Sequence, residues 1–142
     1  MKIHIGCDHA GFTLKELVKV SLSSQGHEVV DHGTFSEEST DYPEYAHATA
    51  SAVEEENGIG ILICGSANGV CMTANKHQGV RAALCWNDEV AKLAREHNNA
   101  NIICLPARFI SVEEAHQMVH TFIHTSFEGG RHERRVSKIA CA

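Results

Sequence analysis

Residues Ile59 to Cys64 (IGILIC) form a nearly continuous apolar run, and Gly65-Ser66-Ala67-Asn68-Gly69 follows at once. A short run of this kind bounded by turn residues fits a strand covered on both faces, as in a parallel sheet sandwiched between helices. The rest of the chain keeps the same rhythm. Lys2 to Cys7 (KIHIGC) alternates apolar and polar residues like a strand, and Leu14, Leu17, Val18 and Leu22 then recur at helical spacing until Gly26. His27 to Val30 reads as a second strand, and Gly33 to Pro43 (GTFSEESTDYP) as a polar loop long enough to suggest function. Pro43 suits the first turn of a helix that turns Tyr45, Thr49, Ala52 and Val53 inward and stops at Asn57-Gly58. A short helix towards Lys76, a strand from Val80 to Cys85, a helix from Asp88 to His97 and a strand from Asn101 to Leu105 follow. Ser111, with Glu114 three places on, makes a capping box for a last helix whose core positions are Ala115, Val119, Phe122 and Ile123. Five such βα units predict an α/β fold with a five-stranded parallel sheet, helices on both faces, and ligands outside the carboxyl ends of the strands.

The chain has 142 residues, 43% of them hydrophobic, and a formal charge of −6, which suits one domain over residues 1–142 with a single core. No stretch approaches the roughly 18 apolar residues of a membrane span, and the N-terminus turns polar too soon for a signal peptide, so the expected location is the cytoplasm, away from membranes. A mildly acidic chain without a dense basic face is a poor nucleic-acid binder. The six cysteines show no C-x-x-C and are expected to be reduced thiols.

Strand-end logic selects Asp8-His9, the Cys64 loop and Trp86-Asn87 as candidate positions for chemistry. The loop from Gly65 to Gly69 lets backbone N–H groups converge on an anion, such as a phosphate, carboxylate or enolate oxygen; the plainer reading is a tight turn without a ligand. Neither a Walker motif nor a dinucleotide fingerprint is present, and Val70 stands where a cysteine phosphatase would carry its arginine. Cys64 reads either as a buried structural thiol or as a thiol whose ionisation the loop favours, making it a base or nucleophile. His97 continues the stripe Val90, Leu93, Ala94 and so points inward near a helix end, as core packing or, given Asn98, Asn99 and Asn101 beside it, as a functional group. His116, His120 and His124 line up at helical spacing, and a solvated helix edge explains them better than a metal site. The C-terminal segment carries Arg131, Arg134, Arg135 and Lys138, either as a solvated terminus or as an arm that Gly129-Gly130 lets swing onto an active site, where arginine forks bind phosphate.

Taken together, GCDHAG at 6–11, GTFSEESTDYP at 33–43, ICGSANG at 63–69, ANK at 74–76, HNNAN at 97–101 and EGGRHERRV at 128–136 resemble the type B ribose and galactose phosphate isomerases, over the full chain. The resemblance implies a Rossmann-like three-layer α/β/α sandwich and a metal-independent, cofactor-free aldose–ketose isomerase. Such an enzyme interconverts ribose 5-phosphate and ribulose 5-phosphate through an enediolate, in the non-oxidative pentose phosphate pathway. It matches Cys64 to the proton-transferring base, His97 to the ring-opening acid, and Gly65, Ser66, Ala67, Asn68 and Gly69 to the loop holding the enediolate oxygen. Asp8, His9 and Asn98 then match sugar and phosphate contacts, and Arg108, Arg131 and Arg135 a phosphate clamp. The site is expected to be shared between subunits of a homodimer or homotetramer, with an arm from about residue 126 reaching the neighbour. Ala67 stands where glycine is common, so strain is expected there. Val70, where some members carry Glu, places the chain in the cysteine subtype. Allose 6-phosphate or galactose 6-phosphate as substrate, and a silent sugar-phosphate-binding module, are the alternatives.

Overall fold

The structure, a computed structural model, describes residues 1–141. Strands β1 (Lys2–Cys7), β2 (Glu28–Asp31), β3 (Ile59–Cys64), β4 (Ala82–Leu84) and β5 (Ile102–Pro106) form one parallel sheet in the order β2-β1-β3-β5-β4. The helices are α1 (Phe12–Ser24), α2 (Tyr42–Glu56), α3 (Asn68–Ala74), α4 (Asp88–Glu96), α5 (Val112–His124) and α6 (Arg131–Val136), with one 3-10 turn at His9–Gly11. This is the expected Rossmann-like α/β sandwich. The chain steps from β1 to β2 on one side and crosses to β3 on the other, so the carboxyl ends of β1 and β3 flank the point where the strand order reverses.

Successive residues of the central strands serve opposite layers. Ile61 and Ile63 pack with Leu14, Val18, Ala94, Val119 and Phe122 of α1, α4 and α5. Leu62 and Cys64 face Ala46, Ala50 and Val53 of α2 and Val70 and Ala74 of α3. Each large side chain so covered contributes about 1.5–3 kcal/mol. α2 lies close against the sheet because β1 and β3 carry glycines beneath it: a Cβ on Gly6 would collide with Thr49 Oγ1, and one on Gly60 would stand 2.8 Å from Val53 Cγ2.

The periodicity misplaces several side chains. In α1 the buried set is Leu14, Lys15, Val18 and Leu22, while Leu17 is exposed. Lys15 has no exposed surface at all, and it is accommodated by pairing: Nζ donates to both Asp31 oxygens at 2.8 and 2.9 Å and to the Thr34 carbonyl, while Lys19 reaches Asp31 Oδ2 at 2.7 Å. The Phe12 and Phe35 rings flank the same ammonium. Burial raises the Asp31 carboxyl, but the Lys15 and Lys19 ammonium groups and the Gly33 N–H outweigh it and hold the group below its usual range. In α2 the inward residues are Ala46, Thr49, Ala50 and Val53, displacing the expected Tyr45 and Ala52. In α4 they are Ala91 and Ala94, with Leu93 turned to solvent and His97 at the C-cap. β4 spans Ala82–Leu84, shorter than Val80 to Cys85; at its start Asn101 Oδ1 takes the Arg81 N–H at 2.7 Å, where a ladder partner would stand. α6 is not legible as a helix in the sequence; Gly129 and Gly130, at φ +69° and +54°, turn the chain into it.

Candidate active site

The carboxyl ends of β1 and β3 open into a cavity of about 310 Å³ lined by Asp8, His9, Ala10, Tyr42, Cys64, Gly65, Ser66, Gly69 and Arg108. Seven expected site residues, Asp8, His9, Cys64, Gly65, Ser66, Gly69 and Arg108, thus meet, Arg108 entering from the turn after β5. Asp8 caps the 3-10 turn, its Oδ1 accepting the Gly11 N–H at 3.1 Å. His9 Nδ1 accepts the Thr40 N–H at 3.2 Å, so a neutral ring carries its proton on Nε2. The long loop thereby shapes the cavity: Lys15 and Asp31 anchor its start, and Thr40 orients His9 near its end. Arg108 is held by its N–H to the Gly65 carbonyl at 3.1 Å, and its guanidinium forms no ion pair among the described residues. An unpaired cation in a cavity is an anion site in waiting.

Cys64 is 5% exposed at the cavity floor. Burial pushes its thiol up, and this outweighs the N–H groups of Val70, Ala67 and Ser66 that favour the thiolate; the Asp8 carboxylate adds to the rise. The loop is expected to make this thiol ionise readily, and in the single chain desolvation wins instead. The depressed thiol is Cys71, brought down to about 7 by a hydrogen bond with Cys104. Ser66 Oγ accepts from the Asn68 backbone and side-chain amides at 3.4 and 3.2 Å. Ala67 sits at φ +66°, the left-handed conformation that a β-carbon disfavours, so the expected strain is present. Neither Ala67 nor Asn68 lines the cavity; Ala67 is fully buried against α2 and α3.

Sequence reasoning assigns Tyr42 no role. Its ring occupies the space that a side chain at Gly69 would need, with Cε1 and Cζ overlapping the place of that Cβ, and it forms one wall of the cavity. The D-Y-P run ahead of a helix is the available signal.

His97, Asn98, Arg131 and Arg135 do not join this cavity. α4 runs back against the strand direction, so its C-cap His97 lies at the amino-terminal edge of the sheet, where Asn98 shares a groove with Arg81, Ala82 and Ala100. The length of a strand, roughly 15–20 Å, separates the two edges. The C-terminal segment stays at that far edge of its own chain: the Glu128 N–H donates to the Glu96 carbonyl at 3.1 Å, and Gln78 pairs with the Cys141 backbone at 2.9 and 3.0 Å. His97 stacks on His132, centroids 4.2 Å apart, beside Glu128. Burial, His97 and Arg131 hold His132 below the usual imidazole range. The His116, His120, His124 line is no convergent site: His120 and His124 are exposed, and His116 Nε2 is buried without a partner among the described residues.

The sequence profile of the Ribose/Galactose Isomerase family matches residues 3–139. The chain is similar to ribose-5-phosphate isomerase B of Escherichia coli K12, 44% identical over 140 residues that make up 97% of this chain and 93% of that one. Among solved structures, a ribose 5-phosphate isomerase from Thermotoga maritima matches with a TM-score of 0.96 at 52% identity, covering 98% of this chain and 97% of the other. Ribose-5-phosphate isomerase B from Mycoplasma genitalium, solved with bound ribulose 5-phosphate, matches with a TM-score of 0.94 at 44% identity, covering 97% and 93%. With matches of this extent, the chain belongs to the ribose/galactose isomerase family.

Proposed function

We propose that this protein is a ribose-5-phosphate isomerase whose active site is assembled from two copies of the chain. The observation that carries the reading is the cavity itself: a thiol on its floor, backbone N–H groups converging beside it, and the free guanidinium of Arg108 on its wall. The Mycoplasma genitalium relative, which holds ribulose 5-phosphate, supports the pentose assignment.

One copy supplies Asp8, His9, Cys64, the loop from Gly65 to Gly69 and Arg108; the second supplies His97, Asn98, Arg131 and Arg135 from its far edge. His97 moves a proton to the ring oxygen and opens the furanose. The Cys64 thiolate takes the C2 proton and returns it to C1, while the hydroxyl proton passes from O2 to O1 and the carbonyl from C1 to C2, so there is no net oxidation. Ser66 and the loop N–H groups hold the negative oxygen of the enediolate between the two transfers. The arginines grip the phosphate and keep the reacting carbons in place. Burial raises the Cys64 thiol in the single chain, and the cationic groups that the second copy brings act in the opposite direction, favouring its ionisation. Six unpaired cysteines suit a reducing compartment, the cytoplasm.

The test is isomerisation of ribose 5-phosphate in chelator-treated buffer, with allose 6-phosphate assayed on the same preparation. Turnover of ribose 5-phosphate is expected to exceed that of allose 6-phosphate. A preference for the hexose would overturn the pentose assignment, and no turnover of either, with sugar phosphate still bound, would favour a binding module.

A further inference from the structure

Two side chains beside His97 have no part in the isomerisation described above. Glu128 Oε1 lies 3.9 Å from His97 Nε2, and Glu128 Oε2 lies 3.7 Å from His132 Nε2. Both separations are too long for hydrogen bonds. Yet the donor atoms of all three residues fall within 4.8 Å of one another. The convergence is built by the backbone: Glu128 is tied to Glu96, one residue before His97, and the Gly129-Gly130 turn starts α6 so that His132 stacks on His97.

Two imidazoles and one carboxylate form a donor set of zinc sites that keep a fourth position open. Tetrahedral donors about 2.0–2.2 Å from a zinc ion stand roughly 3.3 Å apart. Reaching that arrangement from separations of up to 4.8 Å requires the rings and the carboxylate to turn inward and the stacked pair to splay. Imidazole ligands select zinc, copper or nickel over magnesium and calcium. Arg131 and Arg135 on the same short helix oppose a dication, which keeps the affinity below that of a structural site and the binding reversible.

We propose that His97, Glu128 and His132 bind a divalent transition metal, with Zn²⁺ the best chemical match, and that the bound ion inhibits the enzyme. The inhibitory half rests on the role of His97 proposed above: an Nε2 lone pair given to zinc is no longer free to carry a proton to the sugar ring.

The experiment uses the full chain, stripped with EDTA and desalted, and titrates Zn²⁺ against a chromophoric zinc indicator for the wild type, His132→Ala and Glu128→Gln. The wild type is expected to show one site per chain that either substitution weakens by at least about tenfold, since losing even an outer-shell partner costs that much. The pair His47 and His77, 2.8 Å apart on another face, is a second place where zinc could lodge, and its binding would be indifferent to both substitutions. In parallel, Zn²⁺ should abolish turnover of ribose 5-phosphate by the wild type, EDTA should restore it, and His132→Ala should resist. Binding that is absent, or equal in all three proteins, overturns the site. Binding that depends on His132 and Glu128 while turnover stays intact overturns the inhibition. A zinc-free wild type that does not isomerise ribose 5-phosphate counts against the proposed function alone, because the indicator titration reads the site without it.

Discussion

If Cys64 and His97 act on one substrate from two different chains, inactive variants should rescue one another. Cys64→Ala and His97→Asn each remove a proton-transfer group and should lower turnover by about 10²–10⁴-fold as pure proteins. The strand length of roughly 15–20 Å between the two sheet edges forbids any pairing of these residues within one chain. In a hybrid dimer, the cavity of the His97→Asn chain receives the intact His97 of the Cys64→Ala chain, while the other cavity carries both lesions. Random mixing makes half the dimers hybrid, and half the sites in each hybrid are whole. The refolded mixture should therefore recover about a quarter of wild-type turnover, and hybrids purified through two different tags about half. The assay is ribulose 5-phosphate formation by the two parents, the mixture and the isolated hybrid. A hybrid as inactive as its parents would refute the shared site, as would full activity of pure His97→Asn.

Asp31→Asn should cost about 3–5 kcal/mol in urea unfolding by leaving buried Lys15 without its counter-charge, whereas Lys19→Ala, at a half-exposed position, should cost about 1 kcal/mol or less; a small effect of Asp31→Asn would show that Lys15 does not depend on the pair. Because the Asp31 carboxyl is held below its usual range, the stability it adds is complete above the unfolded value of 3.8 and is lost as pH falls through the lower folded value; acidification should therefore destabilise the wild type more than Asp31→Asn. Gly69→Ala forces the Tyr42 ring aside and should cost about 1–3 kcal/mol in stability, together with a higher KM for the sugar phosphate; an unchanged KM would remove Tyr42 from the cavity wall.

Much of the architecture is legible in the chain. A strand covered on both faces must be apolar throughout, so IGILIC announces β3 and the residues after it announce the cavity. The Ser111 and Glu114 capping box is present as expected, each side chain taking the other residue's backbone N–H. Residues gathered by one edge of the sheet, Asp8, His9, Cys64, Gly65, Ser66 and Gly69, are all recognisable because each follows directly from a strand end. Lys15 is not, since nothing local tells a lysine at a core position that Asp31, 16 residues away, will neutralise it. His97 falls on a core stripe by spacing because periodicity reports a helix face and not the edge of the sheet at which the helix ends.

The order along the chain of the five strands and the first five helices, and the strand-end loops, follow from the sequence alone, because hydrophobic period is a local property; the strain at Ala67 follows from the resemblance to a family in which glycine is common there. Tertiary structure decided what depends on distance and dielectric. Desolvation outweighed the converging N–H groups at Cys64, whereas the interaction with Cys104 outweighed it at Cys71, and the path of α4 and α6 carried His97 and the arginines to the far edge of the sheet. Those are sums over neighbours distant in the chain, and only the folded chain brings those neighbours together.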